Sequence, residues 1–265
     1  MARPGVAPAH PIRWPIDDGA DDLVAVEAPL EIRMGARSIA VTMRTPGDDF
    51  DLAVGYLFAE GIVDGPDDVL EVRRCRDADA VRVVPAAHVT IPEARVTPIS
   101  SACGVCGVAS LDHVPAPHGT PRWSTGPLDP EVLGSLPATI TAAQVNFRHT
   151  GGIHAAARCS PRGEVLDVRE DVGRHNALDK LVGRALSTGA LPLADQVVVL
   201  SGRASWELLQ KAVRAGAAVV AAVGAPSTAA LDVAEAHGVT LIGFLRADRF
   251  NVYSHADRVA VDGPT

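Results

Sequence analysis

The chain has 265 residues, of which 47% are hydrophobic, 21% charged and 4% aromatic. That length suits one large domain or two smaller ones, built on aliphatic and alanine packing. A formal net charge of −8 excludes a protein that holds nucleic acid by its overall field, and no apolar run approaches the length that crosses a bilayer.

Residues 1–22 are rich in proline, alanine and aspartate and carry no periodic pattern, so they read as a mobile tail. Pro4, Pro8, Pro11 and Pro15 interrupt the stretch that holds Arg3 and Arg13. No apolar segment follows, so it is not read as a secretory signal, and the cytoplasm is the expected location. Residues 23–33 and 37–44 are extended candidates around the turn Met34-Gly35-Ala36. Asp48 or Asp49 caps a helix carrying Leu52, Ala53, Tyr56 and Leu57, and Gly61 ends it. Short strands are expected over 69–74 and 80–84. The segment 86–127 is proline-rich and weakly patterned, a length that suggests a functional loop.

The second half is more regular. Helices are expected near 129–135 and 141–149, and strands near 152–158 and 164–168. Residues 174–187 form an amphipathic helix with Leu178, Leu181, Val182, Ala185 and Leu186 on one face. Strands 196–200, 218–223 and 239–245 alternate with helices 205–215 and 227–237. Such alternation implies an α/β arrangement, a partly parallel sheet with helices on its faces. The expected organisation is a tail over 1–22, a smaller, mainly β N-terminal α+β domain over 23–127, and a second domain over 128–265.

Four groups of residues carry chemistry. Cys103 and Cys106 stand three apart, each followed by glycine, which leaves a reachable dithiol. Such a pair can do redox chemistry, bind a metal or carry sulfur. No second C-x-x-C completes a zinc site. Cys75 and Cys159 read as small buried hydrophobes. The second group is Glu170-Asp171-Val172-Gly173-Arg174-His175-Asn176-Ala177-Leu178-Asp179-Lys180, which crowds polar side chains into a helix start and puts His175 and Asp179 four apart. The third is Thr150-Gly151-Gly152-Ile153-His154. Zinc nucleotide deaminases use His-x-Glu, but here Ala156 stands at the glutamate position and no Pro-Cys-x-x-Cys follows. The fourth comprises the strand-to-helix turns Ser201-Gly202-Arg203 and Gly224-Ala225-Pro226-Ser227-Thr228, whose free N–H groups suit an anion. The loop from Phe244 to Tyr253 adds Arg246 and Arg249.

Together with Thr45-Pro46 and Asp51-Leu52-Ala53-Val54-Gly55-Tyr56-Leu57, these motifs resemble the FdhD family, sulfur carriers needed to make active formate dehydrogenase. The resemblance implies a sulfurtransferase that takes sulfane sulfur from a cysteine desulfurase as a cysteine persulfide. It passes the sulfur to the molybdenum of bis-molybdopterin guanine dinucleotide, the molybdenum cofactor, for which GDP or another guanine nucleotide can substitute. It also implies a three-layer α/β/α C-terminal domain similar to the cytidine deaminase fold, no permanent metal, and a homodimer without nucleic-acid or membrane partners. Carried over, Cys103 bears the persulfide and Cys106 assists. The cofactor contacts fall on Phe244, Leu245, Arg246, Ala247, Asp248 and Arg249, and on Ser201, Gly202, Arg203, Arg174, His175, His154 and Thr228. A non-catalytic cofactor-binding chaperone for formate dehydrogenase maturation is the alternative.

Overall fold

The structure, a computed structural model, describes residues 5–9, 22–76, 79–92, 98–99 and 121–260. Cys103 and Cys106 lie outside the described residues. Strand β1 (Val6–Ala9) falls within the stretch read as a tail and pairs antiparallel with β2 (Asp22–Ala25). Strands β3 (Ala28–Met34) and β4 (Arg37–Arg44) form a hairpin, with Gly35 at φ 58° in its turn. Helix α1 (Asp49–Ala59) follows, and then β5 (Val69–Arg74), β6 (Ala80–Pro85) and β7 (Pro98–Ile99). The five-stranded sheet has the order β5-β6-β3-β4-β7. Leu30, Ile32 and Met34 alternate into its buried face, as a half-covered strand requires.

The rest of the described chain builds a six-stranded sheet. In chain order its elements are α2 (Pro130–Ala143), α3 (Phe147–Thr150), β8 (His154–Cys159), β9 (Val165–Asp171) and α4 (Arg174–Ser187). Then come β10 (Val197–Leu200), α5 (Trp206–Arg214), β11 (Val219–Ala222), α6 (Thr228–His237), β12 (Thr240–Gly243) and β13 (Asn251–Ser254). The strand order is β13-β12-β11-β10-β8-β9, with β10, β11 and β12 parallel. Every residue of those three strands is buried, as strands covered on both faces must be. Val198, Leu200, Val220 and Leu241 join a core with α4, α5 and α6, whereas Val197, Val199, Val219 and Ile242 join a second core with Leu133, Leu136 and Ile140 of α2. Helices therefore cover both faces, in the mixed α/β class expected.

Three local expectations need correction. In place of the helices expected near 129–135 and 141–149, α2 runs unbroken through Pro137, because Leu133, Leu136 and Ile140 bury one continuous stripe. After it only the four residues of α3 are helical. The end of the stretch from Phe244 to Tyr253, read as a loop, belongs instead to β13 (Asn251–Ser254), an antiparallel edge strand on β12. Cys159 is fully buried, but Cys75 is half-exposed.

The two halves of the chain share one core. Helices α1 and α4 cross so closely that a Cβ at Gly55 would lie 1.8 Å from the Asp179 carbonyl oxygen, and one at Gly183 would lie 1.9 Å from that of Asp51. Beside the crossing, buried Lys180 donates to the Thr45 carbonyl at 2.8 Å and pairs with Asp171 at 2.7 Å. Asp171 in turn accepts from the Thr45 N–H at 3.0 Å, and the Asn176 amide donates to the Met43 carbonyl at 2.8 Å. Arg214 of α5 donates to the carbonyl of Phe58 and pairs with Asp64 at 2.7 Å.

Candidate functional site

The C-terminal ends of β10, β11 and β12 lie side by side, so the turns after them converge on one edge of the sheet. In parallel sheets this edge is where ligands bind, because free N–H groups and helix N-termini collect there. Ser201-Gly202-Arg203 follows β10, Gly224-Ala225-Pro226 follows β11, and Phe244-Leu245-Arg246 follows β12. They are tied together: Gly224 N–H donates to the Gly202 carbonyl at 2.8 Å, and Phe244 N–H donates to the Gly224 carbonyl at 3.1 Å. Gly224 is required here, since a Cβ would come within 2.8 Å of the Arg203 nitrogen.

Arg203, Arg246 and Arg249 are exposed at this edge. Arg246 is aimed by its backbone partners, donating to the carbonyls of Val223 at 2.7 Å and Leu245 at 2.8 Å. Arg249 faces Asp248 at 3.8 Å, Ala247 is exposed beside them, and Leu245 is fully buried as the anchor of the loop. Phe244 is 43% exposed and sits at φ 52°, a left-handed conformation that is costly for a bulky side chain and that marks functional loops. Helix α2 holds the loop from behind, where a Cβ on Gly134 would lie 2.6 Å from the Ala247 carbonyl oxygen. Thr228 is exposed at the first turn of α6, whose N-cap Ser227 accepts from the Ala230 N–H at 3.2 Å.

His154 and Arg174 reach the same edge from β8 and the start of α4. His154 opens β8 opposite Asp171 of β9, with its Nδ1 3.4 Å from the Ser201 hydroxyl oxygen, and that oxygen accepts from the Ala155 N–H at 2.8 Å. Burial holds the His154 pKa below its ordinary value, the Arg174 guanidinium adds to this, and Asp171 opposes it. The Arg174 Nε and the Ser205 hydroxyl are buried with no hydrogen-bond partner among the described residues. They stand at the starts of α4 and α5, neither of which has a side-chain cap bond. Two positive helix ends therefore face this edge.

His175 and Asp179 do not pair with each other. The Asp179 carboxylate takes Lys211 of α5 at 2.7 Å through both oxygens, and His175 Nε2 lies 3.4 Å from Glu207. Burial, reinforced by Lys211 and Arg174, pushes the His175 pKa down to about 3. Burial raises Glu207 to about 7 against the pull of Lys211. His175 thus belongs to a buried polar cluster between α4 and α5.

Behind the edge, between α2 and the sheet, lies a cavity of about 450 Å³. His154 and Ser201 line it, as do residues without a sequence assignment: Ile140, Gln144, Phe147, Val199 and Val223. Gln144 carried one legible signal, for it continues the apolar stripe Leu133, Leu136, Ile140 with a polar side chain. Glu170 also gains a role, accepting from the N–H groups of Asn146 and Phe147 at 2.8 Å each and so fixing the wall of the cavity. No group of three or more His, Cys, Asp or Glu that could hold a metal ion occurs among the described residues, and none of their helices is long and apolar enough to cross a membrane.

Known proteins resemble this chain over most of its length. A protein of Streptomyces avermitilis named sulfur carrier protein FdhD is 48% identical over 266 residues, spanning 93% of each chain. A protein of the same name from Mycobacterium tuberculosis is 44% identical over 257 residues, spanning 90% of this chain and 92% of that one. The crystal structure of a candidate formate dehydrogenase accessory protein from Desulfotalea psychrophila matches with a TM-score of 0.77 at 22% identity, covering 96% of this chain and 98% of that one, a likeness of fold. Residues 25–260 match the model of the FdhD/NarQ family, and the chain belongs to that family.

Proposed function

We propose that this protein carries sulfur for the maturation of formate dehydrogenase. Its Cys103 accepts sulfane sulfur from a cysteine desulfurase and delivers it to the molybdenum of a bound bis-molybdopterin guanine dinucleotide. The observation that carries the reading is the convergence, on one sheet edge, of three strand-end turns, two open helix starts and Arg203, Arg246 and Arg249. That arrangement suits a large polyanion, because backbone N–H groups and guanidinium groups are the strong phosphate donors. The names of the relatives from Streptomyces and Mycobacterium supply the sulfur.

The chemistry balances as two exchanges. The Cys103 thiolate attacks the outer sulfur of the desulfurase persulfide, the desulfurase cysteine leaves as thiolate, and Cys103 holds the persulfide. Attack of the Cys106 thiolate on the inner sulfur then forms a Cys103–Cys106 disulfide and releases sulfide, the two thiols supplying the two electrons. A dithiol reductant resets the pair. The protein works in the cytoplasm as a homodimer, with the desulfurase and formate dehydrogenase as partners, and a guanine nucleotide such as GDP occupies the cofactor site.

Intact mass after incubation with a cysteine desulfurase and cysteine tests this. One added sulfur is expected, absent from Cys103→Ala, and that variant leaves formate dehydrogenase inactive though accumulated. A protein that gains no sulfur but still binds the cofactor is a docking chaperone instead.

A further inference from the structure

The five-stranded sheet of the N-terminal half takes no part in the edge described above. Its inner face buries Leu30, Ile32 and Met34 of β3 and Val81 and Val83 of β6 against α1 and α4. Alternation along each strand therefore turns Arg33 and Arg82 outward. Strand register sets them in line, with Arg82 beside Arg33 of β3 and directly opposite Arg73 of β5. With strands about 4.8 Å apart, the three arginines span roughly 10 Å of one face. Like charges opposite each other in a sheet are destabilising. The row stands on a chain of net charge −8, so it is no by-product of a basic composition.

The row is only partly compensated from within. Glu31 pairs with Arg33 at 2.5 Å, and Glu71 approaches Arg73 at 3.9 Å with both side chains more than half exposed. Exposed pairs of the second kind contribute little and exchange readily. Arg82, in the middle, pairs with no carboxylate among the described residues, and its Nε is buried without a hydrogen-bond partner among them. An unpaired buried donor is costly and calls for an acceptor. Val41 of β4, opposite Glu31, is 37% exposed on the same face. Arginine is enriched in protein interfaces and takes carboxylates through paired N–H groups, so the charge complement of this face is an acidic protein segment.

The sheet is also where the dithiol is tethered. Strand β7 pairs with β4, two strands from Arg33, and it ends at Ile99. Cys103 lies outside the described residues, but it follows Ile99 by four residues. Four extended residues span at most about 14 Å. A protein seated on the outward face of this sheet is therefore within reach of the thiol that needs sulfur. We infer that the outward face of the five-stranded sheet, centred on Arg82, is the docking surface for the protein that donates the sulfur, and that the donor presents an acidic segment to the arginine row. The identity of that partner rests on the sulfur-carrier reading above; the surface itself rests on the register and pairing of the arginines.

Two measurements on the full chain test the surface: the affinity of a cysteine desulfurase by interferometry, and the rate at which it loads sulfur by intact mass. Arg82→Glu weakens binding and slows loading about tenfold or more. Loading from a small donor, glutathione persulfide, is unchanged in that variant, because the thiols are untouched. Arg162→Glu, which reverses an exposed arginine in the turn between β8 and β9, keeps the parent's affinity and rate. Raising the salt weakens the parent complex and narrows the gap to Arg82→Glu. Should Arg82→Glu not fold, Arg73→Glu carries the same comparison. Desulfurase binding that is absent from the parent, equal in parent and variant, or indifferent to salt overturns the assignment. So does a change of oligomeric mass in Arg82→Glu with desulfurase binding kept, since the face would then join two copies of this chain. A parent that binds the desulfurase through Arg82 but gains sulfur from neither donor sinks the sulfur-carrier reading and leaves the docking surface standing.

Discussion

Replacing Gly55 by alanine adds one methyl group at the crossing of α1 and α4, and the structure leaves no room for it. The new Cβ would lie 1.8 Å from the Asp179 carbonyl oxygen and 2.8 Å from the Gly183 nitrogen. Restoring an ordinary contact of 3.4 Å moves the helices apart by roughly 1.6 Å, and both neighbouring atoms are backbone, so no side chain can rotate away. Overpacking of this kind costs about 3 kcal/mol or more. Alanine returns about 1 kcal/mol through its helix propensity, which at an exposed site would make the change stabilising. The net loss is about 2 kcal/mol or more, a fall in melting temperature of roughly 4–8 °C or more for a chain of this size. Thermal and urea unfolding of Gly55→Ala measure it, with Gly65→Ala as control, since a Cβ on Gly65 meets nothing within 4 Å. If the two variants unfold alike, the close crossing does not exist in solution and the docking of the two halves is wrong.

Three further outcomes follow from the buried charges and thiols. Lys180→Met strands Asp171, whose pKa burial already raises against the pull of Lys180, and costs about 3–5 kcal/mol in urea unfolding; a loss under 1 kcal/mol contradicts a buried pair. Glu207 is raised from 4.5 to about 7, so the folded protein binds its proton more tightly than the unfolded chain. Its contribution is complete below pH 4.5 and fades as pH rises through about 7, leaving a penalty of about 3 kcal/mol at pH 8. Glu207→Gln, which cannot ionise, should therefore gain stability relative to the parent between pH 5 and pH 8, and a difference independent of pH refutes the buried carboxyl. Cys159 is fully buried, with its thiol pushed up to about 12, so iodoacetamide at pH 8 leaves it unmodified until denaturant is added; rapid labelling of the native protein would be the contrary result.

The elements of the second half were legible because burial on both faces leaves a plain record. The runs Val197–Leu200, Val219–Ala222 and Thr240–Gly243 are almost entirely apolar, and the intervening helices repeat at their own period. The full length of α2 was not legible over 129–149 because the helix is held by a long-range signal, the packing of Leu133, Leu136 and Ile140 on the sheet. Strands β1 and β13 were missed for the same reason, since each is fixed by a partner strand rather than by its own composition.

By itself, the sequence determined which residue types were available for chemistry: the Cys103 and Cys106 thiols, the Arg-His-Asn helix start and the glycine-bearing strand ends. Those are local properties, written in spacing and side-chain type. Only the tertiary structure decided which of them meet. It turned His175 and Asp179 away from each other and toward Glu207 and Lys211, and set His154 beside Ser201 across β8 and β10. It also set the buried amide of Gln144, which has no hydrogen-bond partner among the described residues, on the wall of a cavity. The reason is that strand order and helix crossing join residues far apart in the chain, and no periodicity within a segment records which neighbour another segment will bring.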